Sequence, residues 1–412
     1  MVEKIGYLDG VRGVAALMVA ISHFFYGFYP SISSLSPLLI NINSINITLN
    51  FKPLIYMIIH NPACVPIFFV LSGYVLTYKF FQTNNPEKKQ DIYLGGAIKR
   101  YPRLMIPACV SIIIAFILLS LGLFYNDTAS SLLGPKNIFE SGFAENWQFT
   151  PNLFDALRQG LFSAYFSDNK NGTDHSLVSY NGVLWTMYCE FTGSLILFAI
   201  LAIFGEFKYR RILYIPVILI FIGTHYMGFI FGLLLADLFN NQEGIRHKVN
   251  NLYILIAVLA ICIIYWLFIN RLTNFPLLGL YKLDLIYIYI SVGLLMFVIL
   301  SSNFMQWLLS RSLFLFLGKI SFSMYLLHGI IFASFSSLVF IYLFPKTSYL
   351  ISFCVTFLLS MIVVFGASYL YYHCVDSQSM RISKEIYNRL KNSSCRVPIT
   401  KDTKIPDNQG YP

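Results

Sequence analysis

Apolar runs of about 20 residues, separated by polar or charged clusters, repeat along almost the whole chain. A run of that length crosses a bilayer as an α-helix. The pattern places spans at about 12–29, 58–81, 104–125, 183–204, 251–270, 284–301, 313–344 and 349–372. Between the first two lies a Ser-, Asn- and Pro-rich stretch, 30–52, a loop or re-entrant segment. A charged connection fills 82–103. The longest polar stretch, 126–181, is too long for an idle connection and is expected to form part of a binding surface. Residues 212–239 are too many for one span and too few for two full ones. Gly223 and Gly228 flank His225-Tyr226 at the middle, which favours two short helices turning there.

Charge decides the topology. With two short helices at 212–239 the spans number about ten and both termini share one side. That side then carries 21 of the 29 Lys and Arg residues, so it is the cytoplasmic one. The expected fold class is therefore all-α, a polytopic membrane helical bundle with both termini cytoplasmic. Residues 1–376 form the membrane domain, and 377–412 a basic polar tail expected to be disordered. The composition agrees: 57% hydrophobic, 12% charged, mean hydropathy +0.66. The net charge of +10 follows the positive-inside pattern and implies no nucleic-acid partner. No cysteine falls in an expected outer loop, so no disulfide framework is expected. The chain is Asn-rich, and the glycosylation sequons at Asn46, Asn126 and Asn171 read as chance.

Ionisable groups inside spans are the candidates for chemistry. Arg12 and His23 are eleven residues apart, about 1100° around a helix, so they share a face about 16 Å apart along the axis. An imidazole held in a span suits general base work, although Arg12 could simply pair with Asp9 and snorkel to the surface. Lys99, Arg100 and Arg103 cluster at the entrance of the third span, as anchors or as donors to a phosphate-rich ligand. Glu190 lies in an apolar span. It could orient an imidazole, bind an acceptor hydroxyl, or pair structurally with Lys319 or an Arg. A polar-dotted run, 318–328, ends in a second intramembrane histidine, His328. No phosphate-binding loop, dinucleotide fingerprint, zinc spacing or nucleophile elbow appears, and no metal is expected.

These residues carry a resemblance. Leu8-Asp9-Gly10-Val11-Arg12-Gly13 with His23 resembles the opening of the acyltransferase-3 family of membrane O-acyltransferases, marked by a cation, ten residues and a His. Ser72-Gly73-Tyr74 looks like its second-span motif and Lys99-Arg100 with Arg103 like its basic motif. Trp185 with Glu190, and Ser321–His328 including Tyr325, resemble its fourth-span and late-span motifs. The resemblance implies an O-acyltransferase that takes an acyl group, usually acetyl, from cytoplasmic acetyl-CoA or another acyl-CoA. The acceptor would be a hydroxyl of a cell-surface glycan or lipid-linked sugar. His23 would be base or acyl relay, with Glu190 and His328 in the catalytic set. Arg12, Lys99, Arg100 and Arg103 would hold the CoA phosphates; Asp9, Ser72, Gly73, Tyr74, Trp185 and Tyr325 would support them. The expected setting is a bacterial inner membrane, in contact with membrane lipid. No periplasmic hydrolase-like domain follows the last span, unlike many fused members, so a separate periplasmic transferase is an expected partner if the membrane unit does not finish transfer itself. Pro102, inside the basic motif, departs from the family pattern and could re-aim Arg103. The rival reading is a transporter or flippase for lipid-linked sugars using the same His and Glu residues.

Overall fold

The computed structural model describes residues 6–29, 38–42, 45–49, 63–133, 142–167, 179–240, 253–254, 256–261, 264 and 281–394. Apart from one antiparallel hairpin, Leu38–Ile42 with Ile45–Leu49, these residues are helical or connect helices. The main helices are α1 (Gly6–Phe28), α2 (Cys64–Phe81), α3 (Pro86–Ser120), α4 (Trp185–Phe204), α5 (Arg210–Ile220) and α6 (Tyr226–Leu238). They continue with α7 (Tyr281–Ser301), α8 (Asn303–Leu309), α9 (Ser312–Ile331), α10 (Tyr349–Tyr371) and α11 (Ser377–Ser394). Among the described residues seven helices are long and apolar enough to cross a membrane, and each falls on an expected span. Expected span 251–270 lies largely outside the described residues.

The ambiguous 212–239 stretch forms two helices, α5 and α6, broken at a turn containing Gly223 (φ +69°). Arg210 and Arg211 at the start of α5 both reach Asp237 near the end of α6, at 2.6 Å and 3.2 Å. The pair therefore folds back on itself, and neither helix has the roughly 20 residues that a full crossing takes.

Three polar stretches carry helix that the apolar pattern does not show, and for the tail this corrects the expectation. The charged connection at 82–103 is helical from Pro86. Asn85 caps it by accepting from the Lys88 N–H at 3.1 Å, and Pro86 stands in the first turn, where no N–H is needed. The helix continues through Pro102 and Pro107. The polar stretch at 126–181 contains short helices. Residues 153–166 form consecutive helical turns that pack along α3, with Gly160 against Cys109 and the Tyr101 hydroxyl donating to the Leu161 carbonyl. Its exposed Phe154, Phe162 and Phe166 face outward, as lipid-facing side chains would. Finally, the tail expected to be disordered is helical over Ser377–Ser394. Ser379, Ser383 and Tyr387 recur at helical spacing and face the α3 side, where Tyr387 and Lys391 both bond Asp91. The rest of the tail, 395–412, lies outside the described residues.

Two helix pairs set the frame. A Cβ on Gly13 of α1 would overlap the backbone of Leu317–Gly318 on α9, and one on Gly73 of α2 would overlap Phe229 and Gly232 of α6. Small residues let these backbones touch, which is how helices pack where lipid supplies no hydrophobic drive. One apolar core joins α1, α3, α9 and α10; the other joins α2, α4, α6 and α7. Over the end of α1, Asn126 donates to the carbonyls of Phe143, Ala144 and Asn146, so this sequon nitrogen is buried and engaged.

Candidate active site

Because α1 is one unbroken helix, Arg12 and His23 share a face three turns apart, as their spacing predicts. The α1–α9 seam brings His23 against His328, with His23 Nδ1 2.7 Å from His328 Nε2. His328 Nδ1 lies 2.9 Å from the Met324 carbonyl one turn earlier on α9. His328 is fully buried, whereas the His23 ring is left uncovered by the rest of the protein. His23 therefore forms the reachable end of the pair.

At the Arg12 level the same seam opens into a cavity of about 380 Å³. Arg12, Arg100, Arg103 and Lys319 supply cations to its wall; Asp9, Glu190 and Asp376 supply carboxylates. Each arginine is paired: Arg12 with Asp9 at 3.1 Å, Arg100 with Glu190, and Arg103 with Asp376. Ser72 donates to Glu190 at 3.0 Å, so the carboxylate is satisfied from α2 and α3 together. Arg100 Nε is buried with no partner among the described residues, leaving one guanidinium donor unused. Paired cations with a spare donor form a surface on which a polyanion can replace or share the carboxylates.

Tyr325 and Phe68 also line the cavity, their rings 6.0 Å apart. The Tyr325 hydroxyl lies 2.8 Å from the Val183 carbonyl and 2.9 Å from Thr186 Oγ1, which fixes the ring against the start of α4. Tyr325 in turn lies 6.1 Å, ring to ring, from His328. The cavity wall and the histidine pair are thus joined through one side chain.

The structure does not bring every expected site residue to this cavity. Glu190 meets Arg100 and Ser72; the imidazole partner of His23 is His328. Lys99 points away, its ammonium 4.8 Å over the Tyr387 ring of α11. Gly73 and the buried Tyr74 serve helix packing, the latter stacked on Tyr78 at 5.9 Å. Trp185 lies 5.2 Å from His225, whose Nδ1 is 2.9 Å from the Tyr289 hydroxyl. Arg103 keeps its place despite Pro102. Its partner Asp376 comes from a single π-helical turn, Tyr372–Asp376, between α10 and α11. Neither Asp376 nor Thr186 was expected at the site. A lone Asp just past a span gives no signal of its own, because its role depends on a partner 273 residues away.

Among the described residues, helices of membrane-crossing length and apolarity enclose a cation-lined cavity at the Arg12 level, and deeper along α1 His23 pairs with His328 of α9, a setting that defines a membrane-embedded protein. A family model described as an acyltransferase domain matches residues 5–372. The chain belongs to the acyltransferase-3 family and is a membrane acyltransferase. No curated protein and no solved structure matches it.

Proposed function

We propose that the protein transfers an acyl group, acetyl in the simplest case, from cytoplasmic acyl-CoA to a carbohydrate hydroxyl. The observation that carries this reading is the shared face of α1, with Arg12 in the cation-lined cavity and the accessible His23 about 16 Å deeper. CoA's pantetheine arm is of that order. Phosphates held by Arg12, Arg100 and Arg103 would set the thioester beside His23. Three arginines suit this task because guanidinium groups make bidentate, charge-assisted contacts to phosphate.

In the proposed reaction the acceptor oxygen attacks the thioester carbonyl carbon while His23 takes the hydroxyl proton. The C–S bond breaks, CoA leaves as thiolate and the proton returns to sulfur. Both termini lie on the cytoplasmic side, and the acceptor arrives from the other. The resemblance points to a cell-surface or lipid-linked glycan as acceptor and to a bacterial inner membrane as the setting.

The test is thioester consumption by purified protein in the presence of a glycan acceptor. Mass spectrometry of surface glycans, with and without the protein, should then show the mass of one acetyl group gained. Wild-type protein that consumes no acyl-CoA with any surface glycan would overturn the reading. Release of CoA without acceptor, in an amount equal to enzyme, would show instead that the histidine carries the acyl group itself.

A further inference from the structure

The Met324 carbonyl can only accept a hydrogen bond. At 2.9 Å from His328 Nδ1, it requires the proton of that ring to sit on Nδ1. In a neutral imidazole the other nitrogen then carries the lone pair, so His328 Nε2 is an acceptor. His23 Nδ1 lies 2.7 Å from it and must be the donor. His23 Nε2 is left unprotonated, with no side-chain partner among the described residues.

We propose that His328 is a positioning residue: it fixes His23 in the Nδ1–H tautomer, so that Nε2 is the basic atom offered to the acceptor hydroxyl. This rests on the reading of His23 as the base. The free imidazole in water favours the opposite tautomer, with the proton on Nε2. The α9 backbone reverses that preference through two successive hydrogen bonds. When Nε2 takes the hydroxyl proton, Nδ1–H stays donated to His328 Nε2. The lone pair there stabilises the imidazolium that forms. A carboxylate does this in the Ser-His-Asp arrangement; here a second, neutral imidazole does it, and the resting pair carries no net charge in the span. The position within a membrane span fits that choice, since an ion without a paired counter-charge is costly there.

The full-length protein in detergent or nanodiscs, labelled with ¹⁵N-histidine, gives a direct readout in the absence of any ligand. The His23 signals, assigned by their loss in His23→Gln, should show Nδ1 protonated and Nε2 bare. His328→Leu should return His23 to the Nε2–H form and lower kcat on the order of 100-fold, with little change in KM for acyl-CoA. His328→Gln keeps an acceptor oxygen where Nε2 stood, so it should restore the Nδ1–H signature and most of kcat. An Nε2–H His23 in the wild-type protein would overturn the proposal, as would His328→Leu with undiminished kcat. Equal loss in folded Leu and Gln variants would also overturn it. The tautomer is read without turnover, so its failure is distinct from a failure of the acyltransfer reading, which His23→Ala tests.

Discussion

A carboxylate in an apolar bundle must be neutralised, and Glu190 meets that demand through Arg100 on α3 and Ser72 on α2. Removing either partner strands the other's charge. Glu190→Leu should therefore destabilise the protein by about 3–5 kcal/mol, and adding Arg100→Leu should recover part of the loss. Thermal unfolding of the two single variants and the double variant in detergent measures the coupling, which strict additivity would refute. Arg100 is therefore a poor residue on which to test donor binding, since charge reversal would set two carboxylates together. Arg12 is better. It is half-buried, and its partner Asp9 sits on the same helix three residues away. Arg12→Gln should raise KM for acyl-CoA about tenfold, the scale of one charged hydrogen bond, and leave kcat nearly unchanged. An unchanged KM would remove Arg12 from the donor site.

Helix seams hold these residues in register. Gly13→Leu would force α1 away from Leu317–Gly318 and with it separate His23 from His328. We expect loss of folded protein on size exclusion, whereas Gly366→Ala, which meets open space, should be neutral or slightly stabilising. Equal tolerance of both changes would mean the seam does not set the site. At this scale the sequence was legible where its periodicity was strong. The Arg12–His23 register follows from eleven residues of regular helix, and the Gly223 break from two glycines flanking a polar pair. Residues 153–166 were not legible, because Asp155, Arg158 and Gln159 hide a short apolar face within a polar stretch. Helix α11 was hidden for a similar reason: the stripe it turns toward α3 is built from the buried Ser379 and Ser383 and the half-buried Tyr387 rather than aliphatic residues. The His23–His328 bond joins positions 305 residues apart, and no local pattern encodes it.

Over the whole molecule, the charge asymmetry sets direction. The topology proposed from that asymmetry, with both termini cytoplasmic, would place α11, with Arg381, Lys384 and Arg389, on the same side as the Arg12 cavity. Lys384→Cys should then react with an impermeant maleimide only from the cytoplasmic face, and Ser131→Cys only from the opposite face. Labelling of both from one side would reverse or reduce the span count. The proposed function uses the same geometry to carry an acyl group from a donor on one side to a hydroxyl supplied from the other. The most direct measurement is acyl-CoA thioester loss by the purified protein with a glycan acceptor, comparing wild type with His23→Ala at equal folded amount. The account predicts acceptor-dependent thioester loss that falls by a factor of about 10²–10⁴ in the variant. Equal rates in the two proteins would contradict it.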